Sequence, residues 1–110
     1  MPLWAILSFD APGAALLRKQ HLAAHLAHME GALQPLKLAG PLRTPAGDFA
    51  ASLGIVEADS AEAARAYIEA DPYFRAGVWA RCEVFAFTAA AGEWAGGISW
   101  APLTDGGGGA

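Results

Sequence analysis

The chain has 110 residues, of which 55% are hydrophobic and only 16% charged, and its formal net charge is −4. This length allows one ordinary domain with a single core and excludes two full domains. The negative charge argues against a nucleic acid partner, because proteins that bind nucleic acid neutralise its phosphates with an excess of Lys and Arg.

The N-terminal segment predicts a short strand. Residues 3–9 form the apolar run LWAILSF, and the turn sequence DAPG ends it; a short run with this ending favours a strand over a helix. The run is too short to cross a bilayer, and no positively charged segment precedes it. We therefore expect a cytoplasmic protein without a membrane partner. The single cysteine, Cys82, is compatible with a reducing compartment.

A long helix is predicted from Ala14 to about Gly31. Leu22, Leu26 and Met29 recur at i, i+4 and i+7, which is the spacing of one face of a helix. Gly31 provides a natural stop. The helix is the first of two predicted for the domain.

Two strands joined by a turn are predicted next. Residues 36–42 are apolar but interrupted by Gly40-Pro41, and the turn-rich segment 44–48 connects them to an apolar stretch over residues 49–57. This pattern is typical of a pair of antiparallel strands.

The second half of the chain predicts another helix and a last strand. Ser60 is a suitable N-cap with Glu62 in the first turn, and Pro72 prevents simple continuation of the helix, so a new helical turn restarts there. Residues 79–87 alternate as a strand requires, with Cys82 among the apolar set as a small buried hydrophobe.

The element order β-α-β-β-α-β predicts an α+β fold, the ferredoxin-like split βαβ arrangement with a four-stranded antiparallel sheet. Two helices cover one face of such a sheet and leave the other face open. Both alternating sets of residues in the first strand are largely apolar, so both faces require cover. We therefore expect a homodimer.

A C-terminal tail follows, over residues 89–110. It contains Trp94 and Trp100 and ends in a glycine run at 106–109. Large aromatic side chains usually pack on other parts of a protein, so we expect both tryptophans to lie over the domain, the partner subunit or the mouth of a pocket. We expect the glycine run to be disordered, because no side chain there offsets the entropy cost of ordering.

Titratable residues are concentrated on one side of the first helix, where Arg18, His21, His25 and His28 fall at i, i+3, i+7 and i+10. Three interpretations remain open. His21 and His25 could supply two metal ligands, although no third ligand is evident; the stripe could be a solvated polar face; or His25 alone could point into a cavity, with Arg18 nearby to bind an anion or orient a carboxylate.

Asp71 also has two interpretations that do not exclude each other. Asp followed by Pro is a good N-cap and first-turn pair for the helical turn that continues through residues 73–75. The same carboxylate could orient the imidazole of His25. Gly40 and Gly77 could mark a strand end and a helix stop, or allow a ligand to approach the backbone closely.

An ordered set of motifs resembles a known family. Arg18 and the His25-Leu26-Ala27 segment are followed by LAGPL at 38–42, SL at 52–53, VEADSAEAA at 56–64 and ADPY at 70–73, before the Ala76-Gly77 pair. With compatible spacings over about residues 3–87, these motifs are similar to the YciI-related (YCII) domain family. The resemblance implies one domain over residues 1–88 that dimerises as a dimeric α/β barrel.

The resemblance also implies catalytic roles for His25 and Asp71, which occupy the positions of the family's two hallmark polar residues. The family pattern around the histidine commonly reads Arg-Pro-x-His-Leu-x-Tyr-Leu, whereas here the Arg and Tyr positions hold Leu22 and His28. This departure favours a different substrate or an eroded site, with His28 partly replacing the hydrogen bond of the tyrosine.

The leading hypothesis is a small cofactor-independent enzyme of lyase, isomerase or dehydrochlorinase type. His25 moves a proton, and Asp71 orients the imidazole of His25 or stabilises the imidazolium that forms. No metal is required. The substrate is an unknown, small and anionic molecule, and the residues expected to bind it are Arg18, Gly40, Ser52 and Tyr73. The alternatives are a non-catalytic dimeric module that binds a small molecule or a protein partner, and a haem or metal site at the histidine stripe.

Overall fold

A computed structural model of the chain describes residues 2–98. The elements of the main domain follow the predicted order, with a short third helix at the point where a new helical turn was expected. They are β1 (Leu3–Asp10), α1 (Ala14–Gly31), β2 (Leu36–Arg43), β3 (Phe49–Glu57), α2 (Ala61–Glu69), α3 (Pro72–Ala76) and β4 (Trp79–Phe87).

Strand β1 lies inside the four-stranded sheet, whose order is β2-β3-β1-β4. Every neighbouring pair in this sheet is antiparallel, including β2 and β3 on either side of the predicted turn. The predicted α+β, ferredoxin-like architecture is therefore confirmed. None of the helices within residues 2–98 has both the length and the apolar character needed to cross a membrane.

The helices cover one face of the sheet. Ile6 of β1 and Val56 of β3 lie on this face and form a buried cluster with Ala64 of α2. A second buried cluster joins Tyr73 of α3 to Trp79 of β4. The two clusters attach α2 and α3 to the sheet and thereby place the start of α3, at Asp71, next to the helix-covered face.

The opposite sheet face is apolar and open. Ala5 of β1 is paired with Ile55 on one side and with Phe85 on the other, and directly paired residues share a face of the sheet. Phe85 is 50% exposed, and Leu38, which is paired with Ile55 on the same face, is also exposed. The expectation of one uncovered face is confirmed for the described chain.

Helix α1 buries other residues than its apolar spacing suggests. Its fully buried side chains are Ala14 and Arg18, whereas Leu22 and Leu26 are about half exposed. The helix packs chiefly against α3, and both leucines line a cavity between the helix and the sheet. The apolar stripe therefore borders a cavity instead of filling a core.

Local signals set the ends of α2 and α3. The Ser60 side chain accepts a hydrogen bond from the backbone N–H of Ala63 at 3.1 Å, as the N-cap signal predicts. Gly77 follows α3 with φ of 81°, a left-handed conformation that glycine adopts at little cost. Gly77 is therefore the expected helix stop, and it lets the chain turn from α3 into β4.

The tail differs from its expectation. Residues 91–98 form a small hairpin of two-residue strands, β5 (Ala91–Gly92) and β6 (Gly97–Ile98), around one 3-10 turn. Trp94 in that turn is 84% exposed, so it does not pack on the rest of residues 2–98, and packing on a partner subunit stays a prediction. The hairpin strands pair with each other and not with the main sheet. Trp100 and the glycine run at 106–109 lie outside the described residues.

Candidate active site

A cavity of about 670 Å³ lies between α1, the β2–β3 side of the sheet and the junction of α2 with α3. This volume is within the usual range for small-molecule sites. Apolar side chains of α1, including Leu22 and Leu26, form part of the wall. All the residues expected at the site also line it, namely Arg18, His25, Gly40, Ser52, Asp71 and Tyr73.

His25 and Asp71 form a hydrogen bond in the cavity wall, with 2.8 Å between Nδ1 and Oδ1. Asp71 is only 3% exposed, while the side chain of His25 is 20% exposed. An ionised carboxylate only accepts hydrogen bonds, so Nδ1 carries the proton in the neutral imidazole and Nε2 keeps its lone pair. This tautomer is the one required of a general base that acts through Nε2.

Asp71 combines both roles that its sequence context allows. Its Oδ1 atom also accepts the backbone N–H of Tyr73 at 2.9 Å, which caps the N-terminus of α3. The cap fixes the carboxylate relative to α3, and the same oxygen then contacts His25 on α1. Capping and contact with the histidine therefore occur together.

Tyr73 contacts the site through its ring as well as its hydroxyl. The ring stacks on the His25 imidazole with 3.9 Å between centroids and 2° between planes. The hydroxyl donates to the backbone carbonyl of Arg18 at 2.9 Å, so this donor is engaged within the protein. Burial raises the pKa of Tyr73, Arg18 opposes this shift, and the carboxylates of Asp71 and Asp10 add to it. The hydroxyl therefore remains protonated at neutral pH.

Arg18 is paired with Asp10, a residue expected only to begin the turn after the first strand. The guanidinium donates from Nε to Oδ2 at 2.9 Å and from Nη2 to Oδ1 at 2.7 Å, and it is 7% exposed. Its Nη2 also donates to the hydroxyl of Ser52 at 3.0 Å. The predicted cation is in the cavity wall, but its charge is balanced by Asp10. Asp10 lies only eight residues before Arg18, but no sequence pattern identified it as the partner.

Gly40 and Ser52 lie on neighbouring strands of the wall. A side-chain carbon at Gly40 would meet no atom within 4 Å, so the backbone there borders open space. Near Ser52, the thiol of Cys82 donates to Ser8 at 3.2 Å. Burial is the main cause of the raised pKa of Cys82, so the thiol is protonated at neutral pH. Cys82 is the expected buried hydrophobe and not a nucleophile.

The histidine stripe is divided by the fold. His25 lines the cavity, whereas His21 and His28 are not among its lining residues. Within residues 2–98, no three His, Cys, Asp or Glu side chains are grouped closely enough to hold a metal ion. Of the three interpretations of the stripe, the geometry favours His25 alone pointing into a cavity.

Solved structures of similar fold are known for this chain. The chain is similar to 5-chloro-2-hydroxyhydroquinone dehydrochlorinase (TftG) from Burkholderia phenoliruptrix AC1100, solved in complex with 2,5-dihydroxybenzoquinone. The identity is 29%, the TM-score is 0.71, and the match covers 83% of this chain and 96% of the other.

A second solved structure, Rv0793 from Mycobacterium tuberculosis, matches with 16% identity and a TM-score of 0.48, over 80% of this chain and 94% of the other. No curated protein matches the chain. The family model of the YCII-related domain matches residues 2–88, which is most of the chain and includes every residue of the candidate site. The protein therefore belongs to the YCII-related domain family.

Proposed function

We propose that this protein is a small cofactor-independent enzyme that transfers a proton on a compact substrate, with His25 as the acid-base group and Asp71 as its partner. The observation that carries the proposal is the 2.8 Å contact between His25 Nδ1 and the buried Asp71 carboxylate in the wall of a cavity. A positioned acid-base group of this kind typically contributes about 10²- to 10⁴-fold to a rate.

The mechanism starts from neutral His25 with its proton on Nδ1. Nε2 removes a proton from the substrate, and the imidazolium that forms is stabilised through its Nδ1–H by the carboxylate of Asp71. Nε2 then returns the proton to another atom of the substrate, to a leaving group or to water. Return to the substrate gives an isomerase, whereas loss of a leaving group with its electron pair gives a lyase.

The substrate proposed for this cavity is a small ring that carries hydroxyl or carbonyl oxygens. TftG is a dehydrochlorinase of a chlorinated hydroxyhydroquinone and was solved with a dihydroxybenzoquinone, which supports rings of this size and chemistry. Arg18 supports the same class, because its Nη1 makes no hydrogen bond within residues 2–98 and is left to donate to a ligand oxygen.

The test uses 5-chloro-2-hydroxyhydroquinone for chloride release and 2,5-dihydroxybenzoquinone for exchange of the ring hydrogens with D₂O, followed by NMR. We expect the wild type to accelerate at least one of the two reactions over buffer. We expect His25→Ala to lower that rate by about 10²-fold or more while the protein stays folded.

A non-catalytic binding module of the same fold predicts a different result. It would bind 2,5-dihydroxybenzoquinone without accelerating either reaction, and His25→Ala would alter only affinity. Full turnover by His25→Ala would contradict the assignment of His25 as the acid-base group.

A further inference from the structure

We propose that Tyr73 is a positioning residue for the histidine, acting through the face of its ring and not through its hydroxyl. This inference rests on the proposed acid-base role of His25, and it assigns Tyr73 a role other than substrate binding. Its first support is the nearly parallel stack, with 3.9 Å between ring centroids and 2° between ring planes.

The stack restricts a motion that the hydrogen bond to Asp71 leaves free. One hydrogen bond at Nδ1 fixes one atom of the imidazole but permits the ring to swing about the Nδ1–Oδ1 direction. A flat surface against one face of the ring opposes that swing, so the direction of Nε2 is held. Positioning errors of about 1 Å can reduce enzymatic rates by about 10²-fold.

Three contacts hold Tyr73 itself in place. Its backbone N–H is bonded to Asp71 Oδ1 at 2.9 Å, and its hydroxyl is bonded to the Arg18 carbonyl at 2.9 Å. Trp79 contacts it in an edge-on geometry, with 5.8 Å between centroids. The ring of Tyr73 therefore forms a platform that is fixed to α1, α3 and β4 at once. Because this platform is fixed, it can hold His25 in one orientation.

The stack also favours the charged state that forms during proton transfer. The face of an aromatic ring carries partial negative charge and attracts a cation placed over it. An imidazolium over Tyr73 is stabilised in this way, in addition to its contact with Asp71. The hydroxyl, in contrast, is occupied by the Arg18 carbonyl, so removing it should leave the platform in place.

NMR of the protein without ligand tests the platform independently of any turnover. Aromatic rings shield protons that lie over their faces, so the His25 ring protons should resonate upfield in the wild type and show NOE contacts with the Tyr73 ring. We expect Tyr73→Phe to retain both signals. We expect Tyr73→Leu to lose them, with a downfield shift of the His25 protons.

Tyr67→Leu is the matched control, because Tyr67 also lines the cavity and also donates its hydroxyl to a carbonyl near α1, that of Ala32 at 2.8 Å. The stacked aromatic partner of His25 within residues 2–98 is Tyr73 and not Tyr67. Tyr67→Leu should therefore leave the shifts of the His25 ring protons unchanged, even where it lowers the melting temperature.

Kinetics complete the test on whichever of the two probe reactions the wild type accelerates. Tyr73→Leu should lower kcat by about 10- to 100-fold with KM within threefold, and Tyr73→Phe should restore kcat to within threefold of the wild type. Missing wild-type NOE contacts, unchanged His25 shifts in Tyr73→Leu, or equal kcat losses in the Leu and Phe variants would each overturn the proposal. The NMR outcomes can overturn the proposal even if no turnover is found. Failure of this inference is therefore distinguishable from failure of the proposed function.

Discussion

His25 and Asp71 meet at 2.8 Å although 46 positions separate them along the chain. Helix α1 carries the histidine and the N-cap of α3 carries the carboxylate. The Asp71 oxygen that contacts His25 also caps α3. The same atom therefore both stabilises a helix and orients the candidate base. Substitutions at Asp71 can separate these two roles.

Asp71→Asn and Asp71→Ser should retain the cap, because Asn, Asp and Ser are similarly good N-cap residues. Both variants remove the carboxylate charge, so we expect kcat to fall by about 10²- to 10⁴-fold while urea unfolding changes little. Asp71→Ala should lose activity and also about 1 kcal/mol of stability. Wild-type activity in Asp71→Asn would contradict the role of the charge.

The buried pair of Asp10 and Arg18 should respond strongly to removal of one partner. Asp10→Ala leaves a buried guanidinium without its carboxylate, and we expect the free energy of unfolding to fall by about 3–5 kcal/mol. Replacing both residues by apolar ones, Asp10→Leu with Arg18→Met, should cost less than the single change. Urea unfolding of Asp10→Leu, Arg18→Met and the double variant, beside Asp10→Ala, measures this coupling.

The exposed pair of Arg81 and Glu83 is the matched control for the buried pair. Its donor and acceptor are 2.9 Å apart, but both side chains are exposed. Glu83→Ala should therefore lower the free energy of unfolding by less than about 1 kcal/mol. A similarly small loss for Asp10→Ala would show that burial does not increase the contribution of the pair of Asp10 and Arg18 to the free energy of unfolding.

Stability should decrease in alkaline solution. Burial is the main cause of the raised pKa values of Tyr67, Tyr73 and Cys82, so the folded state holds these protons more tightly than the unfolded state. The unfolded groups deprotonate near their ordinary values of 9.0 for Cys and 10.0 for Tyr. This contribution to stability is therefore complete below about pH 8.5 and is lost as pH rises through the raised values of the folded state.

Urea midpoints measured from pH 8 to pH 10.5 check this expectation. The midpoint should fall with rising pH, and Tyr67→Phe should make the fall less steep because one titrating group is removed. A midpoint that is constant or rises over this range would contradict the expected sign. Comparing the two proteins at each pH cancels the effects of lysine titration.

We propose that the open apolar face of the sheet binds a second copy of the chain. Phe85 is 50% exposed on that face, and Phe87, Leu38 and Leu42 are exposed beside it. A charge there would be buried in the interface, so Phe85→Asp should convert a dimer to a monomer in light scattering coupled to size exclusion. Leu33→Asp, at an exposed leucine between α1 and β2, should leave the oligomeric state unchanged. A monomeric wild type at high concentration would contradict the proposal.

The elements of the fold were predictable because their signals are local. Turn residues mark the C-terminal end of β1 and the connection of β2 to β3, Ser60 caps α2, and Gly77 ends α3. Each depends on backbone geometry within a few residues, which the sequence specifies directly. The candidate pair of His25 and Asp71 was also predictable, through a family resemblance and the chemistry of the two groups.

Other features depend on contacts between distant parts of the chain. The apolar spacing of Leu22 and Leu26 identifies a helix, but only the packing of α1 on α3 decides that these leucines border a cavity. The pairing of Arg18 with Asp10 and the stacking of Tyr73 on His25 likewise depend on where α1 and α3 lie relative to each other. By itself, then, the sequence determined the elements and their order, because these follow from local chemistry, and a family resemblance added the two polar groups of the candidate site. The tertiary structure decided which of the polar groups pair with each other, because that depends on distances set only when the helices pack.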